Sequence, residues 1–276
     1  MSERVVALQA RAILPCMCLL VLAHRVHPAL PIVLAANRDE LYARPTEPLR
    51  IWPDEPDICA GRDLAQGGTW LGVSRRGRFA ALTNFRRGAA HAGARSRGDI
   101  VLDYLRSSLS PEHYVAQLAS YADQFAGFSV IVGDLEREPY YFSNRGDVAQ
   151  RLLPGLYGLS NEHIDVPWPK VTLAKQRIGA LLAREGTSPE QISDAMDDRS
   201  HPPDASLPDT GIGMERERML APMFVAGEHY GTRAVTAVLV DAHHRALLHE
   251  RSYGPHGRYL SEARCELLVT TAKSSI

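Results

Sequence analysis

Two short apolar runs near the start of the chain constrain its fold more than any other feature: Cys18-Leu19-Leu20-Val21-Leu22-Ala23 and Pro31-Ile32-Val33-Leu34-Ala35-Ala36. Each is too short to span a bilayer as a helix. Each is continuously apolar rather than alternating, the pattern of a strand buried on both faces. A short segment carrying His27-Pro28 separates them, so they predict a hairpin with a covering layer on either side.

The rest of the chain repeats the theme. Residues 69–74 and 79–84 flank Arg75-Arg76-Gly77-Arg78 as a second hairpin, and a short element is expected near Ile58-Cys59-Ala60 within a Pro- and Asp-rich loop over 44–66. Further strands are expected at 127–134, 139–144, 156–161, 233–242, 246–253 and 258–269. Helices are expected from Ser96 through about residue 109, from Ser110-Pro111, over 170–185 and from Ser188-Pro189. Residues 197–213 read as a long loop. Strands in hairpin-like pairs alternating with helices in pairs give an α+β fold of antiparallel sheets covered by helices, not a doubly wound parallel sheet.

Composition narrows the function classes. With 276 residues, 45% of them hydrophobic and a net charge of -1, the chain has a full core and no global bias toward nucleic acid or membrane surfaces. Seven arginines and no acidic residue lie between Asp63 and Asp99 (Arg75, Arg76, Arg78, Arg86, Arg87, Arg95 and Arg97), readable as an anion site or as a solvated hairpin and loop. Only three lysines occur, Lys170, Lys175 and Lys273, and the arginine excess reads as coding bias. The cysteines, Cys16, Cys18, Cys59 and Cys265, form no CxxC pair, which argues against a zinc ribbon or disulfide framework and fits a reducing, cytoplasmic setting. His243, His244, His249 and Glu250 cluster, but read as surface decoration rather than a metal site. The stretch from Arg11 to Ala23 begins like a signal peptide. Pro15 interrupts it, however, and His24-Arg25 stand where small residues would be cleaved. No P-loop, dinucleotide fingerprint, G-x-S-x-G elbow or H-E-x-x-H motif is present.

Cys18, directly after Met17, admits three readings: a buried core thiol, the end of a targeting segment, or an N-terminal nucleophile. An α-amine, with an ordinary pKa of about 7.7–8.0, is tethered to the same Cα as the thiol. It is therefore in place to take the thiol proton and return it to a leaving amine. That chemistry requires the chain to start at Cys18, and makes residues 1–17 an extension. Asn37-Arg38-Asp39-Glu40 closes the second run and lies at the same end of the predicted hairpin as Cys18. Asn84 and Asn161 end other strands and are candidate oxyanion donors, and Arg233 opens one and is a candidate for orienting substrate. Singly, each reads equally as a turn or cap residue. Trp70, after Gly67-Gly68-Thr69, reads as a wall of a site or as core.

These residues resemble a known family named after its Asn-Arg-Asp-Glu motif, the NRDE family, which includes the transport-and-Golgi-organisation proteins. The matching stretches run in order from Met17-Cys18 through ANRDE (36–40), GRDLAQGGTWLGVS (61–74), LTNFR (82–86), SRGDIVLDYL (96–105), YGLSN (157–161) and PWPK (167–170) to YGTRAVT (230–236). The family is similar to the cysteine branch of the N-terminal nucleophile hydrolases. The resemblance implies a four-layer αββα sandwich over residues 18–276 as one domain, and hydrolysis of a linear amide. It implies catalytic roles for Cys18, Arg38, Asp39, Asn84, Asn161 and Arg233, substrate contacts from Asn37, Gly68, Trp70 and Arg86, and no metal or cofactor. The expected partner is a small amide or acyl substrate, with neither nucleic acid nor a membrane span. The family also implies an alternative: a non-catalytic carrier of heme or acyl-CoA.

Overall fold

The computed structural model describes residues 17–86, 93–146 and 148–270. Cys16, Arg87 and the expected extension before Met17 lie outside them. The leading hairpin is β1 (Met17–His27) and β2 (Leu30–Leu41), with Leu20 opposite Ala36 and Leu22 opposite Leu34. The remaining strands are β3 (Thr46–Ile51), β4 (Ile58–Asp63), β5 (Leu71–Ser74), β6 (Arg78–Asn84), β7 (Phe128–Asp134), β8 (Tyr140–Ser143), β9 (Gln150–Arg151), β10 (Gly155–Leu159), β11 (Tyr230–Val240), β12 (Arg245–Gly254) and β13 (Arg258–Leu268). The α-helices are α1 (Arg97–Arg106), α2 (Pro111–Ala119), α3 (Pro169–Leu182), α4 (Pro189–Met196) and α5 (Met214–Met219).

The strands form two antiparallel sheets, ordered β10-β1-β2-β11-β12-β13 and β3-β4-β5-β6-β7-β8-β9. Three apolar layers hold them together. Leu20, Leu22, Ile32 and Leu34 from the first sheet meet Leu71, Phe79 and Ile131 from the second. The opposite face of the hairpin, Leu19, Val21, Val33 and Ala35, packs on Val171 and Ile178 of α3 and Ile192 of α4. The outer face of the second sheet, with Ala80, Val130 and Val132, packs on Ile100 and Leu105 of α1 and Val115 of α2. The fold is therefore α+β, with helix, sheet, sheet and helix stacked in that order. Both faces of β1 and β2 are covered, which is why their sequences do not alternate.

Local chemistry sets the helix starts. Ser96 Oγ accepts from Gly98 N, Ser110 accepts from His113 N ahead of Pro111, and Ser188 forms a capping box with Gln191. Three elements depart from the sequence reading. β3 falls inside the expected loop because Pro48 lacks an N–H; it fits because β3 is a sheet edge and its ladder shifts register between Glu47 and Arg50. β9 is only two residues long. α5 continues the expected 197–213 loop into a helical turn, and its sequence, Met-Glu-Arg-Glu-Arg-Met, has no apolar face to announce it. No helix among the described residues is long and apolar enough to cross a membrane.

Candidate functional site

The pairing that puts Leu20 opposite Ala36 puts Cys18 opposite Arg38 and Met17 opposite Asp39, at the end of the first sheet that lies beside the last residues of β10 and of β6 in the second. A cavity of about 300 Å³ opens there. Cys18, Arg38, Asp39, Trp70 and Asn84 all line it, together with the Ser96–Gly98 start of α1.

Cys18 is 9% exposed. Burial pushes its thiol up to about 12, with the Asp39 carboxylate adding to the shift, while Arg38 and a hydrogen bond from the Asp39 backbone N–H oppose it. At neutral pH the sulfur is therefore a thiol and needs a base. Among the described residues lining the cavity there is no histidine.

Arg38 stacks its guanidinium 4.1 Å above the Trp70 ring and donates through Nη1 to Thr46 Oγ1 at 3.1 Å. Two glycines make the Trp70 wall possible. A Cβ on Gly61 would lie 2.4 Å from the Trp70 ring, and one on Gly68 would lie 2.6 Å from the Gly98 backbone. Gly68 thus brings α1 against the cavity by close backbone approach.

A backbone latch joins the two sheets beside the thiol. Ser160 Oγ donates to the Cys18 carbonyl at 2.9 Å, Asn161 Nδ2 donates to the Asn84 carbonyl at 2.8 Å, and Arg86 N donates to the Asn161 carbonyl at 2.9 Å. Asn161 does not line the cavity; its side chain holds the Asn84 backbone.

Three further candidates stand away from it. Asn37 points into the helix layer and donates to the carbonyls of Met196 and Met223 at 3.0 and 2.8 Å. Arg233 donates to the carbonyls of Leu41 and Arg44, pinning the connection from β2 to β3. Arg86 lies under Trp168 and forms a buried ion pair with Glu217 at 2.5 Å.

Asp39 belongs to both sides of the sheet. Thr232 Oγ1 donates to its Oδ1 at 2.6 Å, while its Oδ2 is buried with no hydrogen-bond partner. Burial raises the carboxyl to about 7, against the pull of Lys170, Thr232 and Arg86. Lys170 is a charged group the sequence reading passed over. It sits in the first turn of α3, buried, with Nζ donating to the Leu220 carbonyl at 3.2 Å. Burial and neighbouring Arg86 lower its ammonium to about 8, while Asp39 and Cys18 favour the charged form. The available signal was its rarity: in a chain whose cations are almost all arginine, PWPK carries one of three lysines.

Four further arginines of the 75–97 run are engaged structurally. Arg75 donates to the Pro56 carbonyl, Arg78 to that of Leu109 and Arg97 to that of Gly127, while Arg95 pairs with Asp103. Among the described residues no group of histidine, cysteine or carboxylate side chains is arranged to hold a metal ion.

Comparison with known proteins gives a family. The Transport and Golgi organisation 2 family model matches residues 17–255. The Transport and Golgi organization protein 2 homolog of Bos taurus is 34% identical over 242 residues, which is 80% of this chain and 86% of that protein. The Homo sapiens homolog is 34% identical over 237 residues, with the same coverage. Among solved structures, a Caenorhabditis elegans ortholog of N-acylethanolamine-hydrolyzing acid amidase aligns with a TM-score of 0.46 at 13% identity, over 65% of this chain and 86% of that one.

Proposed function

The chain belongs to the Transport and Golgi organisation 2 family, and from that premise we propose that it is a cysteine hydrolase of linear amides whose nucleophile is an N-terminal Cys18. One observation carries the reading: Cys18 opens onto the cavity from the head of β1, and the strand position beside it holds a buried carboxylate with one unpartnered oxygen, Asp39 Oδ2. A buried polar atom left unpaired is costly. In this reading cleavage before Cys18 supplies the missing partner, because it turns the Met17–Cys18 amide into an α-amine next to the strand position, Met17, that stands opposite Asp39. The family match beginning at residue 17 is consistent with that start.

The same cleavage supplies the base that the protonated thiol needs. The α-amine takes the thiol proton, and the sulfur attacks the amide carbon. Negative charge moves to the carbonyl oxygen, for which Asn84, on the cavity wall, is the proposed donor. Collapse breaks the C–N bond, and the α-ammonium protonates the departing amine. Water, deprotonated by the same amine, then attacks the thioester, and the acid leaves as the thiol is restored. Arg38, fixed on Trp70, holds positive charge beside the thiolate. Carriage of heme or acyl-CoA has less support in this cavity, whose apolar side chains, Cys18, Trp70 and Leu82, stand among Arg38, Glu40, Arg44, Asp63 and Arg97.

The test is to release the protein from a cleavable fusion so that Cys18 becomes residue one, and to compare it with a chain that keeps Met17. The released form is expected to hydrolyse members of an N-acyl amide panel, and the Met17 form to be inert. Equal hydrolysis by both forms, or none by either across the panel, overturns the reading.

A further inference from the structure

Lys170 occupies a place that three local rules disfavour. It is a cation in the first turn of a helix, where the backbone dipole favours anions. Its ammonium is buried. A second cation, Arg86, lies close by. Arg86 is already neutralised, since Glu217 Oε2 takes its guanidinium while Glu217 Oε1 accepts from Thr210 N and Oγ1. Among the described residues of this cluster, two groups remain without a matched charge: the Lys170 ammonium, bonded to the Leu220 carbonyl, and the Asp39 carboxylate, with Oδ2 open. They do not close into a direct ion pair but lie in one buried cluster: Leu220, whose carbonyl holds Lys170, packs on Tyr230, whose hydroxyl donates to the Asp39 carbonyl at 3.3 Å. A lysine set against local preference, in one cluster with a carboxylate that lines the nucleophile's cavity, indicates a function that overrides stability.

We propose that Lys170 is a positioning residue of the Cys18 site: from behind the sheet, without touching substrate, its ammonium keeps Asp39 an anion so that Oδ2 accepts from the Cys18 α-amine. The proposal rests on the N-terminal nucleophile reading above. The charged and titratable groups facing the pair are Cys18 on β1, Asp39 and Glu40 on β2, Tyr42 just after it, Arg86 after β6, Glu217 on α5 and Tyr230 on β11. The directions agree: Lys170 lowers the Asp39 carboxyl, and Asp39 favours the charged form of Lys170. The sign follows. Without the ammonium, the Asp39 carboxyl rises further and a larger share of it carries its proton at neutral pH. The ammonium formed when the α-amine takes the thiol proton then loses its anionic partner, and less thiolate forms.

The experiment measures the rate of Cys18 alkylation by iodoacetamide against pH, resolved by peptide mass mapping, on protein released with Cys18 as residue one. In Lys170→Met the acid limb is expected to move up by about one pH unit, which is a roughly tenfold slower reaction along that limb; Lys170→Arg is expected to stay near the wild-type profile. A Lys170→Met profile superimposed on wild type overturns the proposal and leaves the nucleophile reading standing. If wild-type Cys18 reacts no faster when it is residue one than when Met17 is retained, the nucleophile reading itself fails, and the proposal with it. Should Lys170→Met not fold, the double variant Asp39→Asn with Lys170→Met removes both buried charges together and is expected to recover folding. A double variant no more stable than the single one overturns the coupling.

Discussion

Glu217→Ala is expected to destabilise the protein by about 3–5 kcal/mol, the range for removing one partner of a buried ion pair. The side chains of Arg86 and Glu217 are 1% and 3% exposed, and both Glu217 oxygens are engaged, Oε2 by Arg86 and Oε1 by Thr210 N and Oγ1. Truncation leaves Arg86 charged, dry and beside Lys170, with Trp168 as its remaining close partner. Replacing both members by apolar residues, Arg86→Met with Glu217→Leu, is expected to recover most of the loss, since no unpaired charge then stays behind. Urea denaturation of the three proteins measures this. A loss under about 1 kcal/mol for Glu217→Ala would mean that the pair behaves as a surface bridge and that α5 does not seal this side of the site.

The second large effect concerns chemistry. Cys18→Ala removes the attacking atom and is expected to lower amide hydrolysis on the order of 10⁶-fold, the scale seen when a nucleophile is deleted from a preorganised site. Folding should change little, by about 1 kcal/mol, because the neighbours of Cys18 are held by other contacts: Arg38 by Trp70 and Thr46, and the Cys18 backbone by Ser160. Substrate binding should therefore survive the substitution while turnover does not. Turnover persisting in Cys18→Ala would remove the thiol from the mechanism. Loss of binding together with turnover would make Cys18 part of the binding wall instead.

The hairpin, the helix caps and the α+β class are legible in the sequence because each has a local cause: continuous apolar runs for strands covered on both faces, and Ser-Pro pairs for helix starts. β3 and α5 are not legible, because each is held by tertiary context. Pro48 is tolerated only because β3 lies at an edge, and α5 is a charged turn kept in place by the Glu217 contact to Arg86. The site divides in the same way. The strand-end positions of Cys18, Arg38, Asp39 and Asn84 follow from hairpin register and motif order. What Asn37, Asn161, Arg86 and Arg233 do depends on which side of a strand or bulge each side chain takes, and Arg233 stands where the ladder between β2 and β11 shifts register. Their placement on carbonyls and on Glu217 is therefore visible only in three dimensions. Lys170 is remote from Asp39 in sequence and joins its buried cluster only because α3 packs on the leading hairpin.

The account turns on one covalent bond, and intact mass with N-terminal sequencing of the protein purified from cells that make it tests that bond directly. The expected result is a chain beginning at Cys18 with a free α-amine. A mature chain in which Met17, or any residue before it, remains attached to Cys18 would contradict the account.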